Sequence, residues 1–123
     1  MTLPNRKTRL IIAGSRSIDD YDYLCGVLMQ FTAGGRRRGV YEIVSGGADG
    51  VDQQGERWAE EYDCTVKRFN PDLEDYGKAA GPIRNQTMAN YGDILVAIWD
   101  GKSTGTRSMI DEAITAGCEV HVY

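Results

Sequence analysis

The sequence predicts an α/β domain in which a parallel five-stranded sheet lies between two layers of helices. Short apolar runs alternate with stretches of helical periodicity along the whole chain, and three of those runs end in loops of small residues. No repeat, linker or low-complexity tract interrupts the alternation. At 123 residues, 41% hydrophobic and 26% charged, the chain has the size and composition of one globular domain with a full core.

The first strand is predicted over 8–13 (Thr-Arg-Leu-Ile-Ile-Ala), apolar enough to be buried on both faces of a parallel sheet. It ends at Gly14-Ser15-Arg16-Ser17. Asp19 or Asp20 can cap a helix over about 20–32, where Leu24, Val27, Leu28 and Phe31 recur at helical spacing. Gly34–Gly39, with its Arg36–Arg38 triplet, reads as a surface loop; the triplet suits a phosphate contact or a solvated turn. Strand two covers about 41–45. The glycine loop Ser45-Gly46-Gly47-Ala48-Asp49-Gly50 follows, then a helix to about Asp63 and a third strand, Thr65–Phe69. Asn70–Pro82 is expected to be long and irregular, as functional lids and binding segments often are. A helix over about Ile83–Tyr91, a fourth strand at Ile94–Trp99, a small-residue loop at 100–106, a helix over about 107–116 ended by Gly117, and a strand at Glu119–Tyr123 complete the chain. If the chain reverses direction after the third strand, the strand order is 3-2-1-4-5. The loops after strands one, two and four then share one sheet edge, at the switch point where open α/β sheets bind ligands.

Composition excludes several classes. No stretch reaches the roughly 18–20 apolar residues of a membrane span. Met1–Arg9 lacks the apolar centre of a signal peptide, which predicts a cytoplasmic protein. Cys25, Cys64 and Cys118 are odd in number and widely spaced, so they read as buried thiols and not as a disulfide frame. With its only histidine, His121, in a terminal strand, no metal site and no cofactor are predicted. The net charge of −4 argues against a broad nucleic-acid binder, though not against a phosphate-bearing ligand in a local pocket.

Four segments can carry chemistry. Gly46, Gly47 and Gly50 between a strand and a helix allow close backbone approach and leave helix N–H groups uncapped, which suits an anion or a plain tight turn. Asp49 lies in that loop, and Asp52, in the first turn of the helix, either complements the helix dipole or serves as a carboxylate toward ribose hydroxyls or as a base. Gly14, Ser15 and Arg16 offer amides, a hydroxyl and a charge. Arg84, with Asn85, stands near a helix N-terminus, where a cation is unfavourable unless an anion is close. Pro82 fits that first turn, and Met88 reads as core. Ser103, Thr104, Gly105 and Thr106 provide amides and hydroxyls at another helix start, for an anion or for capping. Asp111 lies further along that helix.

Together, Ile-Ala-Gly-Ser-Arg (12–16), Ser-Gly-Gly-Ala-Asp-Gly-Val-Asp (45–52), Gly-Lys-Ala-Ala-Gly-Pro-Ile-Arg-Asn-Gln-Thr-Met (77–88) and Trp-Asp-Gly-Lys-Ser-Thr-Gly-Thr (99–106), followed by Ile110-Asp111, resemble the SLOG superfamily, specifically its small YspA/YpsA-related members. The resemblance runs in order along nearly the whole chain. It implies a Rossmann-like three-layer sandwich that binds nucleotides or nucleotide-derived ligands. The Lonely Guy phosphoribohydrolases of that superfamily cleave the N-glycosidic bond of nucleoside 5′-monophosphates. Their Arg-Lys-x-x-Met is similar to Arg84-Asn85-x-x-Met88, and their Gly-Gly-x-Gly-Thr-x-x-Glu to 103–109, except that the catalytic glutamate's position is Met109. Another carboxylate, Asp52 or Asp111, would have to serve instead. DNA processing protein A, which binds single-stranded DNA, has motifs that look like 45–52 and 84–85; this chain lacks its length and is acidic.

The resulting expectation is a nucleotide-binding domain over 1–123, with phosphate on the Gly46–Gly47 and Gly105–Thr106 amides and Arg84 as counter-charge. Ser15 and Asp52 are expected at the ribose, and Tyr76 or Trp99 stacks on the base. A phosphoribohydrolase using Asp52 or Asp111 and a single-stranded DNA binder are the alternatives. The wider family and the incomplete cleft of so small a chain suggest a homodimer.

Overall fold

A computed structural model describes residues 7–31 and 41–123. The Arg36–Arg38 triplet and most of the segment before the first strand lie outside the described residues. The elements run β1 (Thr8–Gly14), α1 (Tyr21–Phe31), β2 (Tyr41–Ser45), α2 (Val51–Glu61), β3 (Thr65–Arg68), α3 (Leu73–Tyr76), a 3-10 turn (Gly77–Ala79), α4 (Ala80–Tyr91), β4 (Ile94–Ile98), α5 (Thr104–Ala116) and β5 (Glu119–Val122). All strand pairings are parallel and the order is β3-β2-β1-β4-β5, as expected from the reversal after the third strand. The fold is Rossmann-like α/β.

The central strand explains the layering. In β1, Leu10 and Ile12 point to one face, where they pack with Leu24 and Leu28 of α1 and Val51 and Trp58 of α2. Ile11 and Ala13 point to the other, against Met88 of α4 and Met109 and Ala113 of α5. Because side chains alternate along a strand, an unbroken apolar run at the centre of the sheet feeds both cores. Truncating Leu10, Ile11 or Ile12, all fully buried, to alanine costs about 2–5 kcal/mol. The edge strand β3 is exposed throughout, and Lys67 and Arg68 place charge there, which discourages pairing with another strand. Among the described residues, no helix is long and apolar enough to cross a membrane.

Local signals set the element ends. Asp20 Oδ1 accepts from Tyr23 N (3.0 Å) at the start of α1, and Gly117 closes α5 in the left-handed conformation (φ 85°). Two boundaries differ from the expectation. Asn70–Pro82 is not irregular throughout: Asp72 caps the one-turn α3 by accepting from Asp75 N, a 3-10 turn follows, and α4 starts at Ala80, three residues before the predicted Ile83. Pro82 still lies in the first turn, where its missing N–H costs nothing. Likewise α5 begins at Thr104 and not at 107, because the Ser103 hydroxyl accepts from Thr106 N (3.3 Å) and draws 104–106 into the helix. Cys25, Cys64 and Cys118 are unbridged thiols, half-buried where full burial was expected.

Candidate functional site

At the C-terminal edge of β1, β2 and β4, a cavity of ≈ 90 Å³ is lined by Gly14, Arg16, Gly46, Ala48, Asp52, Arg84, Asn85, Ser103, Gly105 and Thr106, with Ala13, Met88 and Met109 as its apolar wall. The topological switch between β1 and β4 places it there, since consecutive crossovers leave the sheet in opposite directions at that point.

Arg84 and Asp52 face each other across Gly46. The Arg84 Nη1 donates to Gly46 O (2.9 Å) and Phe69 O (3.4 Å), and its Nε donates to Asn85 Oδ1 (2.9 Å). Asn85, buried, donates in turn to Ser108 Oγ (3.2 Å) and Gly105 O (3.4 Å), so one amide orients the guanidinium and ties α4 to α5. A Cβ on Gly46 would stand 2.6 Å from Arg84 Nη1 and 2.9 Å from Asp52 Oδ2; only glycine lets the loop pass between the two charges.

Asp52 is a buried carboxylate whose Oδ2 accepts from Ala48 N (3.3 Å). Its pKa is pushed up from the ordinary 3.8 to about 6. Desolvation by burial is the main cause, countered by the Ala48 amide, the Arg84 charge and the Gly14 amide, with the Glu56 charge adding to the rise. Burial also lowers the Arg84 pKa, and the Asp52 charge opposes that. The cavity therefore holds a carboxylate that titrates near neutrality beside a guanidinium that does not.

The glycine loop is braced from below. Glu56 accepts from Ser45 Oγ (2.6 Å) and from Arg68 Nε (3.0 Å), while Gly47 N donates to Ser45 Oγ (3.0 Å). Burial alone would raise the Glu56 pKa, but the bonds from Arg68 and Ser45 outweigh it and hold the carboxyl below its usual range. Of the amides expected to be open to phosphate, Gly47 is thus engaged by an acceptor of the chain itself, as is the amide of its neighbour Ala48. The α2 N-terminus carries no side-chain cap, but the buried Asp52 carboxylate occupies the anion's place beside it. At α5 the Ser103 hydroxyl takes the Thr106 amide, and the Thr104 and Gly105 amides complete the first turn at the cavity wall.

Not every expected residue reaches the cavity. The buried Ser15 Oγ accepts from Asp100 N (3.1 Å), joining the loops after β1 and β4. Asp49 accepts from Gln53 Nε2 (3.1 Å) on the surface, and Asp111 is exposed on α5. Thr104 is exposed beside the wall. Trp99 braces the loop by donating its indole N–H to Ser103 O (3.0 Å). Asp100 orders the same loop by accepting from Lys102 N and Ser103 N, each at 2.8 Å, and those bonds lower its pKa. The roles of Asp100, Glu56 and Arg68 were not expected from the sequence. The Asp-Gly-x-Ser turn spelled the first; nothing local joins Glu56 to Arg68, which meet only when β3 pairs beside β2. Met109 is buried in the cavity wall, so the position of the phosphoribohydrolase glutamate carries an apolar side chain.

The model of the YspA, cpYpsA-related SLOG family matches residues 8–76, from β1 through α3. Gene 61 protein of Mycobacterium phage D29 is 36% identical over 122 residues, covering 91% of this chain and 93% of that protein. No solved structure gives a significant match.

Proposed function

Because the chain belongs to the YspA, cpYpsA-related SLOG family, we propose that it binds a nucleotide or nucleotide-derived ligand in the cavity between Arg84 and Asp52. The observation that carries the proposal is the pairing of a half-buried guanidinium and a buried carboxylate on either side of Gly46, at the sheet's switch point and next to a helix N-terminus. A phosphate takes the side of Arg84, Arg16 and the first turn of α5, where the local charge is positive. Ribose hydroxyls take the side of Asp52, which accepts hydrogen bonds from them. This division follows from charge: a phosphate placed on the glycine-loop amides would face the Asp52 carboxylate.

Calorimetric titration with ribose 5-phosphate, nucleoside monophosphates and the matching nucleosides tests the reading. Binding that requires both the phosphate and the ribose hydroxyls supports it. Equal binding of nucleoside and nucleotide, or tight oligonucleotide binding that collapses with added salt, contradicts it.

A second reading, hydrolysis of the N-glycosidic bond of a nucleoside monophosphate, is favoured by the Asp52 pKa of about 6. Water attacks C1′ and gives a proton to the Asp52 carboxylate; the bond to the base breaks, and the departing base takes a proton back. Free base and ribose 5-phosphate appearing on incubation would establish it, with loss in Asp52→Asn. We also propose a homodimer. It is supported by the exposed Tyr23 and Met29 of α1 and by Tyr123, which shares a cleft with Tyr23; light scattering gives the mass.

A further inference from the structure

We infer that the cleft on the far side of Arg84, between Phe69 and Tyr76, seats the nucleobase of an amino-bearing purine nucleotide. This rests on the nucleotide reading above. The cavity at Asp52 measures ≈ 90 Å³, too little for a whole nucleotide, since small-ligand sites span about 300–1,000 Å³. A second cleft of ≈ 250 Å³ adjoins it, and Arg84 lines both. The two together reach the lower end of that range, and Arg84 is the residue they share.

The walls of the second cleft suit an aromatic ring. Phe69 and Ile83 supply apolar surface, and Tyr76 adds an aromatic ring that is 51% exposed. No residue of α3 or of the following 3-10 turn is buried, so the core does not account for Tyr76. Gly77, in the left-handed region (φ 52°), bends the chain directly after it and sets α3 at the cleft's rim. An aromatic ring and apolar side chains lining one cleft supply the surfaces on which a flat base stacks. The edge adds selectivity. The Asn70 amide both donates and accepts, and Asp72, whose Oδ1 already takes the Asp75 amide, is acceptor-only. An exocyclic amino group satisfies such an edge; a keto oxygen in its place meets a carboxylate.

The test measures Kd by calorimetry for AMP, IMP and ribose 5-phosphate with the native chain, Tyr76→Ala and Tyr76→Phe. The inference predicts that native protein binds AMP more tightly than ribose 5-phosphate and than IMP. Tyr76→Ala should weaken AMP about 5- to 150-fold, the range base stacking supplies, and leave ribose 5-phosphate within about twofold. Tyr76→Phe should retain native affinity. AMP binding that is indifferent to Tyr76→Ala overturns the base site and leaves the nucleotide reading standing. A Tyr76→Ala loss that is equal for AMP and ribose 5-phosphate overturns it too, since the residue would then act on the whole fold. Equal affinity for AMP and IMP overturns the amino-edge assignment, and no binding of any of the three overturns both readings.

Discussion

Replacing Asp52 by asparagine should stabilise the fold at neutral pH while removing the carboxylate proposed to hold the ribose. In the folded chain the carboxyl titrates at about 6, against an ordinary 3.8, because burial costs the charged form more than Arg84 and the backbone amides return. The folded state therefore binds the proton more tightly than the unfolded state. The stability associated with protonated Asp52 is fully present below pH 3.8 and is lost as pH rises through 6. Converted by linkage, the loss at pH 7 is about 3 kcal/mol. Asparagine keeps an oxygen for the Ala48 amide without the charge, so Asp52→Asn should melt roughly 10 °C above native at pH 7.5. The gap should narrow steadily below pH 6 and vanish near pH 4. Thermal unfolding followed by circular dichroism across that range is the assay. A gap independent of pH, or a native chain that is the more stable at pH 7.5, would refute the account of Asp52. A gain in stability from losing a site residue is the expected signature of strain kept for function.

Other perturbations follow from the same geometry. Gly46→Ala forces a methyl between Arg84 and Asp52; it should cost about 1–3 kcal/mol in denaturant unfolding and abolish ligand binding. Ser45→Ala removes the acceptor of the Gly47 amide and the donor to Glu56, so the melting midpoint should fall by the equivalent of about 1–2 kcal/mol. Phosphate affinity, taken relative to Asp52→Asn so that the phosphate's own titration near 6 cancels, should strengthen as pH falls through 6, because protonating Asp52 removes a negative charge from the cavity; calorimetry at pH 5.5 and 7.5 reads the change.

The sheet was legible because its information is local. Apolar runs such as Leu10–Ala13 and Leu95–Ile98, too short for buried helices and separated by helical periodicity, read as central strands. The cavity was legible in part: the small-residue loops after β1, β2 and β4 meet where parallel topology requires, and Arg84, Asp52, Asn85 and Gly105 all line it. What the sequence concealed depends on which partner satisfies each polar group. Ser15 looked like a ligand contact and is an internal strut because Asp100, distant in sequence, is its neighbour. Gly47 and Thr106 looked like open amides, but the hydroxyls of Ser45 and Ser103 accept from them. The 70–82 segment lacks apolar periodicity and so read as a loop. The Asp72 cap and the tolerance of a first helical turn for proline nevertheless build a short helix there and advance α4 to Ala80.

Arg84 is proposed to anchor the phosphate of a nucleotide-derived ligand. The most direct test is thermal unfolding of the native chain and of Arg84→Ala against a panel of nucleotides. A ligand present at a hundred times its Kd should stabilise the native fold by about 2.7 kcal/mol, a rise of roughly ten degrees. Anchoring by Arg84 predicts that rise for at least one nucleotide in the native protein and its disappearance in Arg84→Ala. An equal rise in both proteins, or none in the native chain with any nucleotide, would contradict it.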